Sequence, residues 1–185
     1  STTDQYVFDG DGTFKLTQTD FKYDQYGNVT ETMAWGEVDP TKRNTVSGDE
    51  KRLQVEFAYN TVAWILDKPS HTVVYDANWN RLSEAWFFYD NHTTFTEAPT
   101  KGLLTKEERW LNTGPSNPTT TFGYDAYGRR TSEGTPSGTL TRTYSTQGYL
   151  SSIVYPSGAS VTYDRDTFGR VHTIKLNGEN VASND

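Results

Sequence analysis

The chain has 185 residues and no Cys, and its 24 Asp and Glu outnumber 17 Lys and Arg for a formal charge of -7. Disulfides, thiolate catalysis and Cys-ligated zinc are excluded, and so acidic a chain is unsuited to a nucleic-acid groove or an anionic membrane surface. No run approaches the roughly 18 apolar residues of a membrane-spanning helix, whereas 14% aromatic residues, 29 Thr and 15 Gly are the composition of an all-β protein with many short strands.

No apolar signal-peptide core follows Ser1, and a chain that does not open on Met is expected to be processed or excised from a longer one. Asp9-Gly10-Asp11-Gly12 suggests a calcium loop, but positions six and twelve of such a loop would be Phe14 and Asp20 rather than Gly and Glu. A polar turn is the better reading. Next comes Tyr23-Asp24-Gln25-Tyr26-Gly27-Asn28-Val29. Asp24 suits the first position of a type I turn, where its carboxylate bonds nearby backbone N–H groups. Gly27, three residues on, suits the point where the chain enters positive φ and returns, so the motif predicts a β-hairpin tip.

Residues 36–51 read as a polar loop. Residues 52–60 read as a strand with Leu53, Val55, Phe57 and Tyr59 on one face. Trp64-Ile65-Leu66 is a short apolar run ended by Asp67-Lys68-Pro69. Residues 72–75 and 82–89 flank a looser copy of the motif, Tyr75-Asp76-Ala77-Asn78-Trp79-Asn80, in which Asn80 is expected to replace Gly because Asn tolerates the left-handed conformation. Residues 103–111, with Lys106, Glu107, Glu108 and Arg109, read as a charged edge strand, and 112–118 as a loop.

The last third repeats the theme. Tyr124-Asp125-Ala126-Tyr127-Gly128-Arg129 matches the first copy, and Tyr163-Asp164-Arg165-Asp166-Thr167-Phe168-Gly169-Arg170 is a copy one residue longer. Turns are also expected at Gln147-Gly148, Pro156-Ser157-Gly158 and Asn177-Gly178. The turn-forming residues are thus Asp24, Gly27, Asn80, Asp125, Gly128, Asp164 and Gly169, with Tyr23, Tyr75, Tyr124 and Tyr163 packing beside them. One strand–turn–strand–turn unit takes about twenty residues, as strands of about six residues with short turns require.

The Tyr-Asp-x-Tyr-Gly-Asn/Arg tips resemble the YD repeats of the rearrangement-hot-spot (Rhs) family, which also occur in insecticidal toxin complexes and teneurins. The stretch from Tyr59 to Tyr89 is most similar to the toxin-complex B component. The resemblance spans roughly residues 21–176. It implies long twisted sheets that spiral into a hollow β-shell, holding a C-terminal toxin or contacting a cell surface, with repeats that are structural rather than catalytic. The chain is too short to close such a shell. It also lacks the aspartate-protease-like segment that ends the shell core, since Asp39-Pro40 stands in an ordinary loop.

Little else points to chemistry. His71, His92 and His172 lie far apart in sequence, and Glu107 and Glu108 fall on opposite faces of a strand, unlike a glycosidase pair. Trp35, Trp79, Trp86 and Trp110 are candidates for stacking on sugars, although large aromatics are first needed for packing.

The expectation is an all-β antiparallel β-hairpin repeat array, residues 1–185 forming a single YD-repeat β domain or an excised segment of a longer one. Its function would be non-enzymatic and structural, in a secreted or surface-associated bacterial protein, with no cofactor and no metal. Its partners would be neighbouring repeat modules or toxin cargo, with an edge-paired homo-oligomer through open strand edges. The alternative is a module that binds cell-surface carbohydrate.

Overall fold

The computed structural model describes residues 1–8, 10–41 and 48–183. Asp9, half of the acidic pair weighed as a calcium loop, lies outside them, as does part of the polar segment 36–51. The described residues contain no helix, only strands and turns. The chain divides into two compact units, Ser1–Asn117 and Pro118–Asp185.

The first unit holds β1 (Thr2–Phe8), β2 (Phe14–Tyr23), β3 (Val29–Val38), β4 (Lys51–Asn60), β5 (Ile65–Asp76), β6 (Arg81–Tyr89) and β7 (Leu104–Arg109). Each strand pairs antiparallel with the next in sequence. The second unit repeats this meander with β8 (Thr119–Tyr124), β9 (Arg130–Thr135), β10 (Gly138–Tyr144), β11 (Leu150–Val154), β12 (Ser160–Arg165), β13 (Val171–Leu176) and β14 (Glu179–Ser183). The described residues are all-β and antiparallel, in keeping with the Thr and aromatic content of the chain.

Within each unit a strand touches only its neighbours in the meander. Side chains are therefore covered laterally, and most are half-buried. Among the described residues, the buried apolar side chains, Leu16, Val38, Ala58, Val73, Phe88, Tyr89 and Pro99, all lie in the first unit.

Three features depart from the pattern read in the sequence. Strand β1 was not foreseen: it pairs with β2 over its whole length although every side chain on it is exposed. Asp67-Lys68-Pro69 does not end a strand, because β5 continues through it. Pro69 stands where the register against β4 shifts between Glu56 and Phe57. The bulge there leaves Ser70 out of the ladder beside Pro69, the kind of irregularity at which a strand tolerates a residue without an N–H. Thr135 and Gly138 close a two-residue turn over Pro136 and Ser137. The expected Asn177-Gly178 turn joins β13 to β14, with φ of 51° and 91°, the two positive values of a type I′ hairpin.

Candidate functional site: the repeated hairpin tip

Among the described residues, one five-residue tip recurs six times. In each, the N–H of the first residue donates to the C=O of the fifth, and the N–H of the fourth donates to the C=O of the first. The first residues are Asp24, Asp76, Asp125, Ser145, Tyr155 and Asp166, and all twelve bonds lie between 2.8 and 3.3 Å. This is a type I turn closed by a bulge, and its fourth residue must take positive φ. Gly27, Gly128, Gly148, Gly158 and Gly169 do so, and in the sixth copy Trp79 does, at 64°.

The four Asp tips share a second layer of bonds. Asp24 Oδ1 accepts the N–H of Tyr26 at 2.8 Å and of Asn28 at 2.9 Å. Asp76, Asp125 and Asp166 accept the corresponding pairs at 2.8–3.0 Å. The other oxygen takes the side chain of the fifth residue: Asn28 Nδ2 at 2.8 Å, Asn80 Nδ2 at 2.9 Å, Arg129 Nε at 2.6 Å and Arg170 Nε at 2.7 Å. The Asn or Arg that follows the Gly is therefore a partner of the Asp, a role that spacing alone did not reveal.

Two expected turn residues are corrected. Asn80 is not at the left-handed position. It stands fifth, equivalent to Asn28, and Trp79 takes the strained place. Asp164 is not in the turn. It lies in β12 opposite Thr173, with Oδ2 2.6 Å from Lys175 Nζ, and Asp166 opens the tip. The bulge beside this tip leaves out His172 of β13, as the bulges beside the Asp24, Asp76 and Asp125 tips leave out a residue of the outgoing strand; the extra residue of the longer motif instead puts Arg165 where Tyr23, Tyr75 and Tyr124 stand, so the Tyr-Asp pair falls out of phase with the turn.

Side chains tie tips to strands further along the same unit. Tyr59 Oη donates to Asp24 Oδ2 at 2.6 Å, Tyr59 and Tyr26 rings meet at 5.2 Å, and Asn28 Nδ2 also donates to the Leu66 carbonyl at 2.7 Å. In the second unit Tyr144 Oη donates to the Arg130 carbonyl at 2.9 Å, under the Arg129 guanidinium. Arg165 reaches Gly169 O at 3.0 Å and Leu150 O at 3.4 Å, across the Tyr149 ring. Of the tyrosines expected to pack, Tyr75 meets the Trp79 ring at 5.7 Å. Tyr23 shares a 2.8 Å hydrogen bond with Ser1 Oγ, and Tyr124 and Tyr163 are half-buried opposite Arg130 and Ile174.

The tip carboxylates are held ionised. Partial desolvation pushes Asp24 up, but hydrogen bonds from Tyr59, Asn28 and Tyr26 outweigh it and hold the carboxyl at about 2. Burial, and then donation to Asp24, pushes Tyr59 up to about 12. Asp76 is lowered first by its bond from Asn80. Asp125 and Asp166, though partly desolvated, are lowered by their bonds from Arg129 and Arg170.

The four candidate sugar-stacking indoles do not share one platform. Trp86 stacks on His71 at 5.6 Å, and Trp110 lies under the Arg81 guanidinium at 3.9 Å. Trp35 and Trp79 line a single cavity. No group of three or more His, Cys, Asp or Glu among the described residues gathers as a metal site.

Residues 100–140, which include the third Asp tip, match the family model of the RHS repeat. No curated protein matches the chain. Among solved structures, the chain is similar to the Photorhabdus luminescens Tc holotoxin pore, at 11% identity and TM-score 0.44 over 88% of this chain and 13% of that one. It is similar to TcdB2-TccC3 at 12% identity and TM-score 0.48, over 100% of this chain and 15% of that one. A porin-like protein from Bacteroides uniformis is similar at 13% identity and TM-score 0.34, over 97% and 92% of the two chains. The chain thus spans 13–15% of those two toxin chains.

Proposed function

We propose that this chain is a mechanical module: a stretch of β-wall in a secreted, toxin-complex-like bacterial protein, working by shape and without catalysis. The observation that carries this reading is the RHS-repeat match over residues 100–140 together with the tip it contains, whose recurrent work in this chain is to reverse the chain and clasp adjacent strands. The polar atoms of that tip are spent on one another. Asp24, for example, receives four hydrogen bonds, from Tyr26, Asn28 twice and Tyr59. Groups so engaged hold geometry; they are not poised to transfer protons or attack a substrate. Each unit adds strands one at a time, as a repeat array does, and longer runs of the same unit would extend the wall around a cargo.

The test is electron microscopy of the full gene product, combined with protease digestion. A hollow particle whose interior segment resists protease is expected. A solid globule, or a cargo digested as fast as free polypeptide, would refute the reading.

A further inference from the structure

The cavity shared by Trp35 and Trp79 has a volume of about 450 Å³ and lies in the first unit, on one face of β2, β3 and β4 beside the 76–80 tip. That volume falls within the roughly 300–1,000 Å³ of small-molecule sites. The indole of Trp35 is fixed, because its Nε1 donates to Asp20 Oδ2 at 2.8 Å. Trp79 carries the Arg52 guanidinium at 4.2 Å on its ring, yet remains 59% exposed. It is also strained: the equivalent position is Gly in the five other tips, and a bulky residue at positive φ is a true outlier. Strain of this kind points to a role at the spot where it is kept.

The charges on the lining decide what fits. Lys22 and Arg52 face Asp20, Glu31 and Glu50. Glu31 takes salt bridges from both Lys22, at 2.8 Å, and Arg52. Asp20 is occupied by Thr2, Gln18 and Trp35, and Glu50 accepts the Gly48 N–H. No surplus positive charge is left for an anion, and no open pair of carboxylates for a cation. One donor is unused: Arg52 Nε is buried and has no acceptor among the described residues. The cavity therefore offers flat apolar indole surface beside two cations and three carboxylates, each carboxylate already holding a hydrogen bond or ion pair within the protein.

We propose that this cavity binds a neutral carbohydrate, a hexopyranose whose C–H face stacks on Trp79 and whose hydroxyl accepts from Arg52 Nε. Of the four indoles considered as sugar-stacking candidates, this assigns the role to Trp35 and Trp79 and removes it from Trp86 and Trp110. The site does not depend on whether the chain stands in a shell wall.

Titration of the chain with cellotetraose and with chitotetraose, followed by tryptophan fluorescence and by ¹⁵N–¹H spectra, tests it. At least one of the two is expected to give saturable quenching and to shift the indole N–H of Trp35 but not that of Trp64, which sits in another turn. Trp79→Gly, which puts the residue of the sister tips at this position, should keep the β-sheet circular dichroism and weaken binding at least tenfold. Absence of saturable binding by both sugars, a shift at Trp64 instead of Trp35, or unchanged affinity in folded Trp79→Gly would each overturn the proposal. The spectra are read on the unmutated chain and do not rely on the variant folding.

Discussion

A single carboxylate does most of the local work in each Asp tip. Asp125 Oδ1 bridges the N–H groups of Tyr127 and Arg129, and its other oxygen holds the Arg129 side chain. Gly128, at φ 78°, completes the reversal. Gly128→Val is expected to cost more than about 1 kcal/mol, since a β-branched residue is strained in that region. A thermal melt checks it, and an unchanged midpoint would show that the backbone there is free to relax. Protonation should act on the same bonds. Asp24 is lowered from 3.8 to about 2 by folding. A lowered folded value means that its stabilisation is present above about pH 4 and is lost as the pH falls toward 2. Melting temperatures measured across that window should drop, and Asp24→Asn should start lower and fall less steeply.

At the scale of elements, the non-repetitive pieces are anchored by equally specific bonds. Asp90 and Asn91 turn the chain at φ 54° and 64° after β6, and residues 92–103 follow as a long loop. Asp90 accepts the N–H groups of Thr100, Lys101, Gly102 and Leu103, at 2.7–3.0 Å, and so ties the far end of that loop. Phe95 packs against His71 and Phe88. Asp90→Ala is expected to cost about 2 kcal/mol or more, because hydrogen bonds to a charged acceptor are each worth more than neutral ones. Faster proteolysis within 92–103 is the second readout. Tyr59→Phe isolates the clasp between a tip and a strand 35 residues away. It keeps the ring against Tyr26 but removes the donor to Asp24, and a loss of about 1.5 kcal/mol is expected. The Asp24 carboxyl should titrate at a higher pH in the variant, as NMR would show.

Strand existence was legible in the sequence wherever a turn announced it, because the turn bonds are local. The tips at Asp24 and Asp125 are spelled by residues within four positions of one another. Where two acidic residues compete, at Asp164 and Asp166, the Tyr-Asp pair misled. Counting back three from Gly169 finds the turn, since its closing bond joins residues three apart. Strand β1 carries no turn motif at its start, and the first half of β5 runs through a proline, so neither could be read from punctuation, whereas residues 72–75 of β5 were announced by the Asp76 turn.

At the scale of the molecule, each unit is a ladder whose rungs touch only their neighbours. Such an array has little deep interior: large rings remain outside, with Phe8 70% and Phe168 79% exposed. The net charge of -7 opposes association of such surfaces, and salt screens that repulsion. Light scattering at high protein concentration is expected to report larger particles at 0.5 M than at about 0.05 M salt, where the screening length is more than twofold longer. A particle size independent of salt would mean that the exposed rings do not promote contact.

The amino-acid sequence alone determined the class of structure, the hairpin rhythm and the tip chemistry, because these depend on φ preferences and on hydrogen bonds a few residues long. Only the tertiary structure decided that Trp79 occupies a glycine's place and that Tyr59 closes on Asp24. Those outcomes depend on strand register and on side chains meeting across neighbouring hairpins, which bring together residues distant in the chain. The cavity between Trp35 and Trp79 belongs to the same class: each indole is visible in the sequence, but their common site exists only once β3 and the 76–80 tip are in place.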